Sequence, residues 1–349
     1  MDTSLYNVMS IEYLDSMFPT DESAVQYLER ARWGDKPACP YCGYSKSAGR
    51  GQRKGQHRCN NYKCNEYYNV KIGTIFESSP VPLRKWFWAA CHMMKIGGID
   101  SWDLANEIGV SRDTASLMMR RICVAMARLR EKMVLGGIVE IGVNAFGGIE
   151  ELKHSNKRLY PKYGCGGKTG VLCMAERGEQ GRTVTLAVPS TYTENINKEQ
   201  ITTPDFSKEI IYPMIRRYVS PSSIVCTDGN HRYSGLQKDG LARLHFKTDP
   251  DSGLFVYDPG HPEINRVCIS VIRNRWKTLA DEYHNHSKWS QKYFQQYLDL
   301  SDFRRNETRL PWQVKNGKVV LWRRAPTLGA FETFIKCCFE KVPTRKGPR

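Results

Sequence analysis

The sequence lacks the features that would assign it to a membrane, secreted or repetitive class of protein. It contains no uninterrupted apolar run of about 18 residues, so it predicts no membrane-spanning helix. It has no internal repeat at a fixed period and no low-complexity segment, which excludes solenoid, collagen-like and disordered chains. Residues 1–34 are acidic and aromatic, unlike the basic and then apolar pattern of a secretion signal. We therefore expect an intracellular protein with folded domains.

Acidic residues are scarce relative to basic ones. The 349 residues include 36 Asp and Glu against 52 Lys and Arg, which gives a formal net charge of +16. A surplus of this size creates a positive field that attracts polyanions such as nucleic acids. Hydrophobic residues make up 40% of the chain, which suffices for the cores of about two or three domains. The composition therefore predicts a multidomain protein with a polyanionic partner.

Four of the 12 cysteines lie close together in the chain, and the other eight are scattered. We expect the scattered ones to be small buried hydrophobic residues. The clustered ones follow the spacing C-x2-C-x16-C-x4-C, and two close pairs of thiolates can surround a zinc ion tetrahedrally. His57 is an alternative to one thiol as ligand, and four unrelated buried thiols are the remaining alternative. We predict a structural Zn²⁺ bound by Cys39, Cys42, Cys59 and Cys64.

Basic and aromatic residues surround this cysteine cluster. Arg53, Lys54 and Arg58 are predicted DNA contacts. Tyr62 and Tyr67 lie close to them in the chain, and such a mixture can contact phosphates and stack on bases. A solvated basic face accounts for the same residues equally well.

The segment from 101 to 129 has the spacing of a helix-turn-helix. Apolar residues of two helices flank Gly109, which allows a tight turn, and Ser111 can cap the second helix. In such a motif the start of the second helix reads base edges in the major groove, and its continuation contacts phosphates. A helical hairpin without DNA contacts is the alternative. The predicted DNA contacts are Arg112, Thr114, Ser116, Arg120 and Arg121.

Strand-like and helix-like segments follow one another after Gly136. The runs IVEIGVNAF, VLCMAER and TVTLAVP predict a β-meander, and SSIVCTD predicts a buried strand that ends at Asp228. A helix-like segment lies around 206–218, and we expect a long basic helix from Ile264 onward. This order predicts a mixed α/β domain. The predicted DNA contacts on the long helix are Arg273, Arg275 and Lys277.

Several of these segments together resemble one family. They are CPYCGYSKS, the linking stretch NVKIGTIFESSPVPLRKWFWA, LANEIGVSRDTASLMMRRI and VCTDGNHRYSGL. From about residue 10 to 310 the chain resembles the transposases of the IS1595 group, whose catalytic domain is called ISXO2-like and whose eukaryotic relatives are the Merlin elements. The resemblance implies a zinc ribbon, a helix-turn-helix and an RNase-H-like domain. It also implies a homodimer or higher homo-oligomer that associates with double-stranded DNA in the cytoplasm, nucleoid or nucleus.

The resemblance also implies acidic residues that hold Mg²⁺ or Mn²⁺ and cut and join DNA. In the motif VEIDETY the first acidic position corresponds to Gly142 of this chain, and in the motif NxIE the third corresponds to Cys268. Asp228 matches the second acidic position and is the remnant of the expected catalytic set. Hard divalent ions require oxygen ligands, which glycine and cysteine side chains do not supply. We therefore predict a catalytically inactive, transposase-derived protein that acts by occupying DNA in a regulatory or genome-associated role.

Two other functions remain open from the sequence. Glu140 lies two residues before Gly142, and Asp258 and Glu263 precede the last helix of the domain. A relocated site of Glu140, Asp228 and Glu263 would give an active metal-dependent transposase or nuclease. The other possibility is a structural or protein-interaction module that retains the transposase fold.

The predicted fold class is multidomain α+β. A hairpin that turns at Asn316 and Gly317, followed by a helix, is a candidate for protein contact. The predicted segments are a helical lead-in at 1–35, a zinc ribbon at 36–80, a helix-turn-helix at 81–135, an RNase-H-like mixed α/β domain at 136–310, and a C-terminal hairpin, helix and basic tail at 311–349.

Overall fold

The computed structural model describes residues 8–51, 55–95, 97–147, 167–178, 181–194, 200–248, 256–285, 291–315 and 318–339. The chain divides into two compact units, one formed by Met1–Glu131 with Glu307–Arg349 and the other by Lys132–Asn306. The segment after residue 310, expected as a part of its own, thus belongs to the first unit. No helix in the described ranges is long and apolar enough to cross a membrane.

Helices and strands are numbered in chain order. The helices are α1 (Ile11–Met17), α2 (Asp21–Trp33), α3 (Leu83–Met94), α4 (Ser101–Ile108), α5 (Arg112–Glu131), α6 (Lys208–Tyr218), α7 (Ser270–Asn285), α8 (Phe294–Glu307) and α9 (Leu328–Cys338). The strands are β1 (Ala48–Arg50), β2 (Gln56–Cys59), β3 (Tyr67–Asn69), β4 (Ile138–Phe146), β5 (Thr169–Glu176), β6 (Thr183–Val188), β7 (Ser190–Glu194), β8 (Gln200–Pro204), β9 (Ile224–Thr227), β10 (Leu244–Lys247), β11 (Arg309–Lys315) and β12 (Lys318–Arg324).

The core of the first unit joins helices from both ends of the chain. Phe18, Phe87 and Phe331 are buried, and the ring centroid of Phe87 lies 5.0 Å from that of Phe18 and 5.2 Å from that of Phe331. Each side chain of this size contributes about 1.5–3 kcal/mol when it is fully buried. Arg128 of α5 also donates to the carbonyl oxygen of Cys337 in α9 at 2.6 Å. Helix α9 is therefore part of this core.

Helices α4 and α5 form the closely connected pair that the spacing around Gly109 predicts. Helix α4 ends at Gly109, whose φ of 61° and ψ of 60° lie in the left-handed region that favours glycine. Asp100 caps the start of α4, because its carboxylate accepts from the amides of Trp102 and Asp103. Ser111 caps α5, because its hydroxyl accepts from the Thr114 amide at 3.2 Å.

The second unit is built on a five-stranded sheet with the order β10-β9-β4-β5-β6. Strand β5 is antiparallel to both β4 and β6, as the predicted meander requires, whereas β9 and β10 run parallel to β4. Strand β9 ends at Thr227, directly before Asp228. Helix α7 packs against β4 and β5.

The long helix of the second unit begins later than the sequence indicates. It was expected from Ile264, but α7 starts at Ser270. Before it, Tyr257 pairs with Val267 and His261 with Ile264 in antiparallel bridges, so these backbone groups form no helical bonds. The apolar spacing of 264–272 resembles a helix although its first residues belong to this looped segment.

Candidate functional site

The four clustered cysteines lie at one end of a small antiparallel sheet of β1, β2 and β3. Their sulfur atoms all lie within 4.8 Å of one another, with 3.8 Å between Cys39 and Cys64 and 3.5 Å between Cys42 and Cys59. Zinc–sulfur bonds of about 2.3 Å in a tetrahedron place sulfur atoms roughly 3.8 Å apart. The four thiols therefore fit a structural Zn²⁺. Among the described residues they are the group of His, Cys, Asp or Glu side chains that lies close enough together to bind a metal ion.

The acidities of these thiols differ in the absence of metal. Burial raises the pKa of Cys39 to about 12. Burial also acts to raise the pKa of Cys42, but hydrogen bonds from the Tyr44 backbone and the other thiols together lower it to about 7. Zinc binds thiolates, so metal binding releases protons here.

His57 has a structural role beside the cysteines. Its Nε2 lies 2.9 Å from Oε1 of Glu29 in α2, and its ring stacks on that of Tyr68 at 5.4 Å. Among the described residues the group at metal-binding distance consists of four cysteine sulfur atoms without His57, so the geometry favours the all-cysteine ligand set over the one in which His57 replaces a thiol.

The predicted DNA contacts of the helical region separate into two groups. Arg112 is exposed at the start of α5, and Thr114 and Ser116 are partly exposed on its first turns. Arg120 is partly buried one turn further on. Arg121 instead donates through Nη1 to the carbonyl oxygens of Ile75 and Glu77, which fastens the segment after the ribbon to α5.

The predicted contacts near the cysteines are only partly described. Arg53 and Lys54 lie outside the described residues. Arg58 is exposed on β2, donates to the side-chain oxygen of Asn65 at 2.8 Å and lies over the ring of Tyr67 at 5.7 Å. Its charge therefore remains at the surface beside an aromatic ring.

At the centre of the second unit, Gly142 and Asp228 are neighbours. Ile141 pairs with Thr227 between β4 and β9, and each is followed by one of these two residues. A Cβ atom at position 142 would lie 2.9 Å from Cγ2 of Ile272 and 3.8 Å from the ring of Trp276, both in α7. A contact under 3.0 Å requires a neighbour to move, so glycine is the residue that this packing accepts.

Glu140 faces the same helix from the same strand and is fully buried. Its Oε1 accepts from Nε of Arg177 at 2.8 Å, and its Oε2 accepts from the amides of Val271 and Ile272 at 2.8 and 3.1 Å. Arg177 also donates to the carbonyl oxygen of Cys268 at 2.6 Å and to its sulfur at 3.1 Å. Burial acts to lower the pKa of Arg177. The combined electrostatic effect of Cys226, Glu140 and Cys268 is larger than the effect of burial, so the pKa of Arg177 is raised.

The other acidic residues considered for a relocated catalytic site, besides Glu140, have separate partners. Asp228 accepts from the Asn230 amide through Oδ1 at 3.1 Å and is partly exposed. Glu263 is exposed and paired with Arg243. Asp258 accepts from the amide of Gly260 at 2.8 Å. Among the described residues these acids and Glu140 do not form a group of metal-ligand distance.

Two sequence regions match transposase domains. Residues 134–306 match the family model of the ISXO2-like transposase domain, and residues 19–66 match that of the transposase zinc-ribbon domain. This chain belongs to the ISXO2-like transposase family. It is also similar to an uncharacterized protein in transposable element ISH50 of Halobacterium salinarum, with 27% identity over 267 residues, which cover 74% of this chain and 84% of that protein.

The transposase zinc-ribbon match includes all four clustered cysteines. Family membership and sulfur geometry thus agree on structural Zn²⁺, as predicted from the spacing. The ISXO2-like match includes the whole five-stranded sheet and the positions of Gly142, Asp228 and Cys268.

One predicted DNA contact of the transposase domain is wrong. Arg275 of α7 is fully buried and donates through Nη2 to Oδ1 of Asp302 in α8 at 2.8 Å. Burial raises the pKa of Asp302, while Arg275 and Thr185 act in the opposite direction. Arg273 and Lys277, from the same helix, are exposed as predicted. The buried pair was missed because its acidic partner lies on a helix that the sequence pattern did not reveal.

Proposed function

We propose that this transposase-family chain binds double-stranded DNA and occupies it without cutting it. The observation that carries the second part is the packing at Gly142, where a Cβ atom would lie 2.9 Å from Cγ2 of Ile272 and would force a neighbour to move. The binding part rests on the family, on the net charge of +16 and on the exposed Arg112 at the start of α5.

The residues at the three expected acidic positions do not fit a pair of divalent ions. Gly142 supplies no ligand, Cys268 supplies a buried sulfur that Arg177 contacts, and Asp228 supplies the one carboxylate. Magnesium and manganese require several oxygen ligands, so we derive no step through such an ion. Glu140 is a poor replacement because Arg177 and two backbone amides already bond to its oxygens.

The strand order supports an RNase-H-like assignment for the second unit. The sheet has the order β6-β5-β4-β9-β10. Strands β4, β5 and β6 form an antiparallel meander, and β9 and β10 follow beyond β4 and run parallel to it. In this arrangement β9 ends beside the middle of β4, so that Asp228 follows Thr227 next to Gly142. We propose that the domain keeps this framework as a DNA-binding surface, with Arg273 and Lys277 exposed on α7.

The decisive experiment is a binding and nicking assay on supercoiled DNA with Mg²⁺ or Mn²⁺. We expect salt-sensitive binding without nicking, and the same result for Asp228→Ala. Nicking by the wild type that disappears in Asp228→Ala would establish a relocated acidic site instead. Absence of DNA binding at low salt would favour the interaction module.

A converse experiment tests whether acidic residues restored at positions 142 and 268 are sufficient for DNA cleavage. We expect Gly142→Asp with Cys268→Glu to remain inactive, because Ile272 still occupies the space beside residue 142. Adding Ile272→Ala removes that obstacle and is the matched comparison. Nicking by the double variant alone would show that the packing is no barrier.

Sequence reading is proposed for the start of α5. Arg112→Ala combined with Thr114→Ala should abolish preference among duplex sequences and leave weaker, salt-dependent binding. Lys336→Ala is the charge-matched control, since Lys336 is exposed on α9. Unchanged sequence preference in the double variant would remove α5 from the proposal.

Pairing of two copies is also part of the proposal. Proteins that insert a helix of this kind into the major groove commonly contact two half-sites through a two-fold dimer. Sedimentation analysis with and without duplex DNA measures the number of copies, and a monomer in both states would contradict it.

A further inference from the structure

Three tyrosine side chains near the cysteines of the ribbon are exposed. The exposed fraction is 85% for Tyr62, 45% for Tyr41 and 37% for Tyr67, whereas the adjacent Tyr68 is buried in the ribbon core. Tyrosine rings left in water give up the free energy that burial would supply. Three exposed rings in one small element therefore indicate a surface that contacts something else.

The three tyrosines lie in segments that the fold brings together at the cysteines. Tyr41 lies between Cys39 and Cys42 in sequence, and Tyr62 lies between Cys59 and Cys64. The sulfur atoms of these cysteines converge within 4.8 Å, so the two loops that carry the tyrosines meet there. Tyr67 begins β3 three residues after the last cysteine. We call Tyr41, Tyr62 and Tyr67 the tyrosine surface.

Cations accompany two of these rings. Nζ of Lys63 lies 5.7 Å from the ring centroid of Tyr62, and the guanidinium carbon of Arg58 lies 5.7 Å from that of Tyr67. Arg58 and Tyr67 are also directly paired between β2 and β3, which fixes their proximity. Residues 36–80 contain eight Lys and Arg against two Glu. The partner of this surface is therefore expected to carry negative charge as well as flat apolar groups.

We propose that the tyrosine surface binds unpaired bases of single-stranded DNA. Exposed aromatic rings with adjacent cations are the means by which proteins stack on successive bases and follow the phosphates. In a duplex the base faces are covered by their neighbours, so rings of this kind reach them only where the strands are apart. This inference rests on the proposed function, because it adds an unpaired stretch to the DNA that the chain contacts.

The test compares single-stranded and duplex DNA on the full-length, zinc-loaded protein. Fluorescence anisotropy measures the affinity for single-stranded DNA with labelled oligothymidylate and the affinity for duplex DNA with a labelled hairpin. Tyr62→Ala should weaken oligothymidylate binding roughly tenfold and duplex binding less than twofold, since stacking contributes mainly to unpaired bases. Tyr62→Phe keeps the ring and should bind like the wild type.

A matched control is available in the other unit. Tyr192 of β7 is 71% exposed, so Tyr192→Ala removes a comparably exposed ring that is not part of the tyrosine surface. It should leave both affinities unchanged. The zinc content of every variant is measured. If Tyr62→Ala loses zinc, the affinities of Tyr62→Phe for the two DNA forms still test the inference.

Several outcomes would overturn the inference. They are absence of oligothymidylate binding by the wild type, equal losses on both DNA forms in Tyr62→Ala, tighter binding of the corresponding RNA, and a change of self-association with unchanged DNA binding. Duplex binding that is absent while oligothymidylate binding persists would contradict the proposed function and leave the tyrosine surface supported.

Discussion

Glu140 connects a strand, an arginine and the start of a helix through one buried carboxylate. Glu140→Gln leaves the partly buried Arg177 without its counter-ion and offers one acceptor oxygen where the carboxylate accepts from both Arg177 and two backbone amides. Removing one partner of a buried pair costs about 3–5 kcal/mol. We expect a loss of this size in the free energy of unfolding, measured by urea denaturation.

Glu263→Gln is the control for this prediction. Glu263 and Arg243 form an ion pair at the surface, where water screens the charges. We expect no measurable change in the urea midpoint. Similar effects of the two substitutions would contradict the structural role assigned to Glu140.

His245 gives the second unit a dependence on pH. Burial, with a contribution from Lys247, lowers its pKa to about 4, and its Nε2 lies 2.9 Å from the Thr227 hydroxyl. Because the unfolded chain takes up the proton first, this contribution is complete above about pH 6.5 and is lost as the pH falls toward the folded value. The expected loss is about 1–3 kcal/mol.

Unfolding by urea at several pH values measures this effect. His245→Gln should reduce the difference between the free energies of unfolding at pH 7 and pH 4.5. The remaining difference reports the other titrating groups. An identical difference in wild type and variant would show that His245 is not the group responsible.

Among the elements, α9 has the clearest role in stability. Phe331→Ala should lower the free energy of unfolding of the first unit by about 3–5 kcal/mol, since the ring is fully buried among other aromatic rings. Lys336→Ala, on the exposed side of the same helix, should change it little. Loss of equal size in both variants would indicate a general effect on α9 instead of a packing role for Phe331.

The elements also show what a sequence pattern can reveal. Strands β4, β5, β6 and β9 were predicted, because their residues alternate or run continuously apolar, and α2 to α5 because their apolar spacing is regular. Helix α8 was not predicted, because it buries Asp299, Ser301, Asp302 and Arg304 among its apolar residues. Hydrophobic periodicity is absent from such a helix.

The same limit explains the site. The cysteine spacing predicts the metal centre because all its ligands are visible in one short segment. The pairs formed by Glu140 with Arg177 and by Arg275 with Asp302 join residues far apart in sequence, and an isolated charged residue is ordinarily exposed. Packing at Gly142 likewise depends on Ile272, which only the fold brings close.

For the whole molecule, removal of zinc distinguishes the contribution of the ribbon to DNA binding from the contribution of the helices. Cys42→Ser should lose the metal and the order of the ribbon, because few apolar side chains support this sheet. Single-stranded DNA binding should then be lost, while part of the duplex affinity remains with α5. Zinc analysis and the anisotropy assay measure both.

Ser45→Ala is the matched control in the same loop, since Ser45 is exposed and its side chain is no zinc ligand. It should retain zinc and both affinities. Recovery of Cys42→Ser by magnesium would contradict a structural zinc site.

The division of the chain has a consequence for its biosynthesis. Lys132–Asn306 form the second unit from one continuous segment, whereas the first unit requires α9, which follows that whole segment. During translation the earlier helices of the first unit therefore leave the ribosome before α9, and their core stays incomplete until α9 has been synthesised. A nascent chain that stops near residue 306 would hold a complete transposase-type sheet and an unfinished helical unit, whose exposed aromatic rings are what chaperones and proteases recognise.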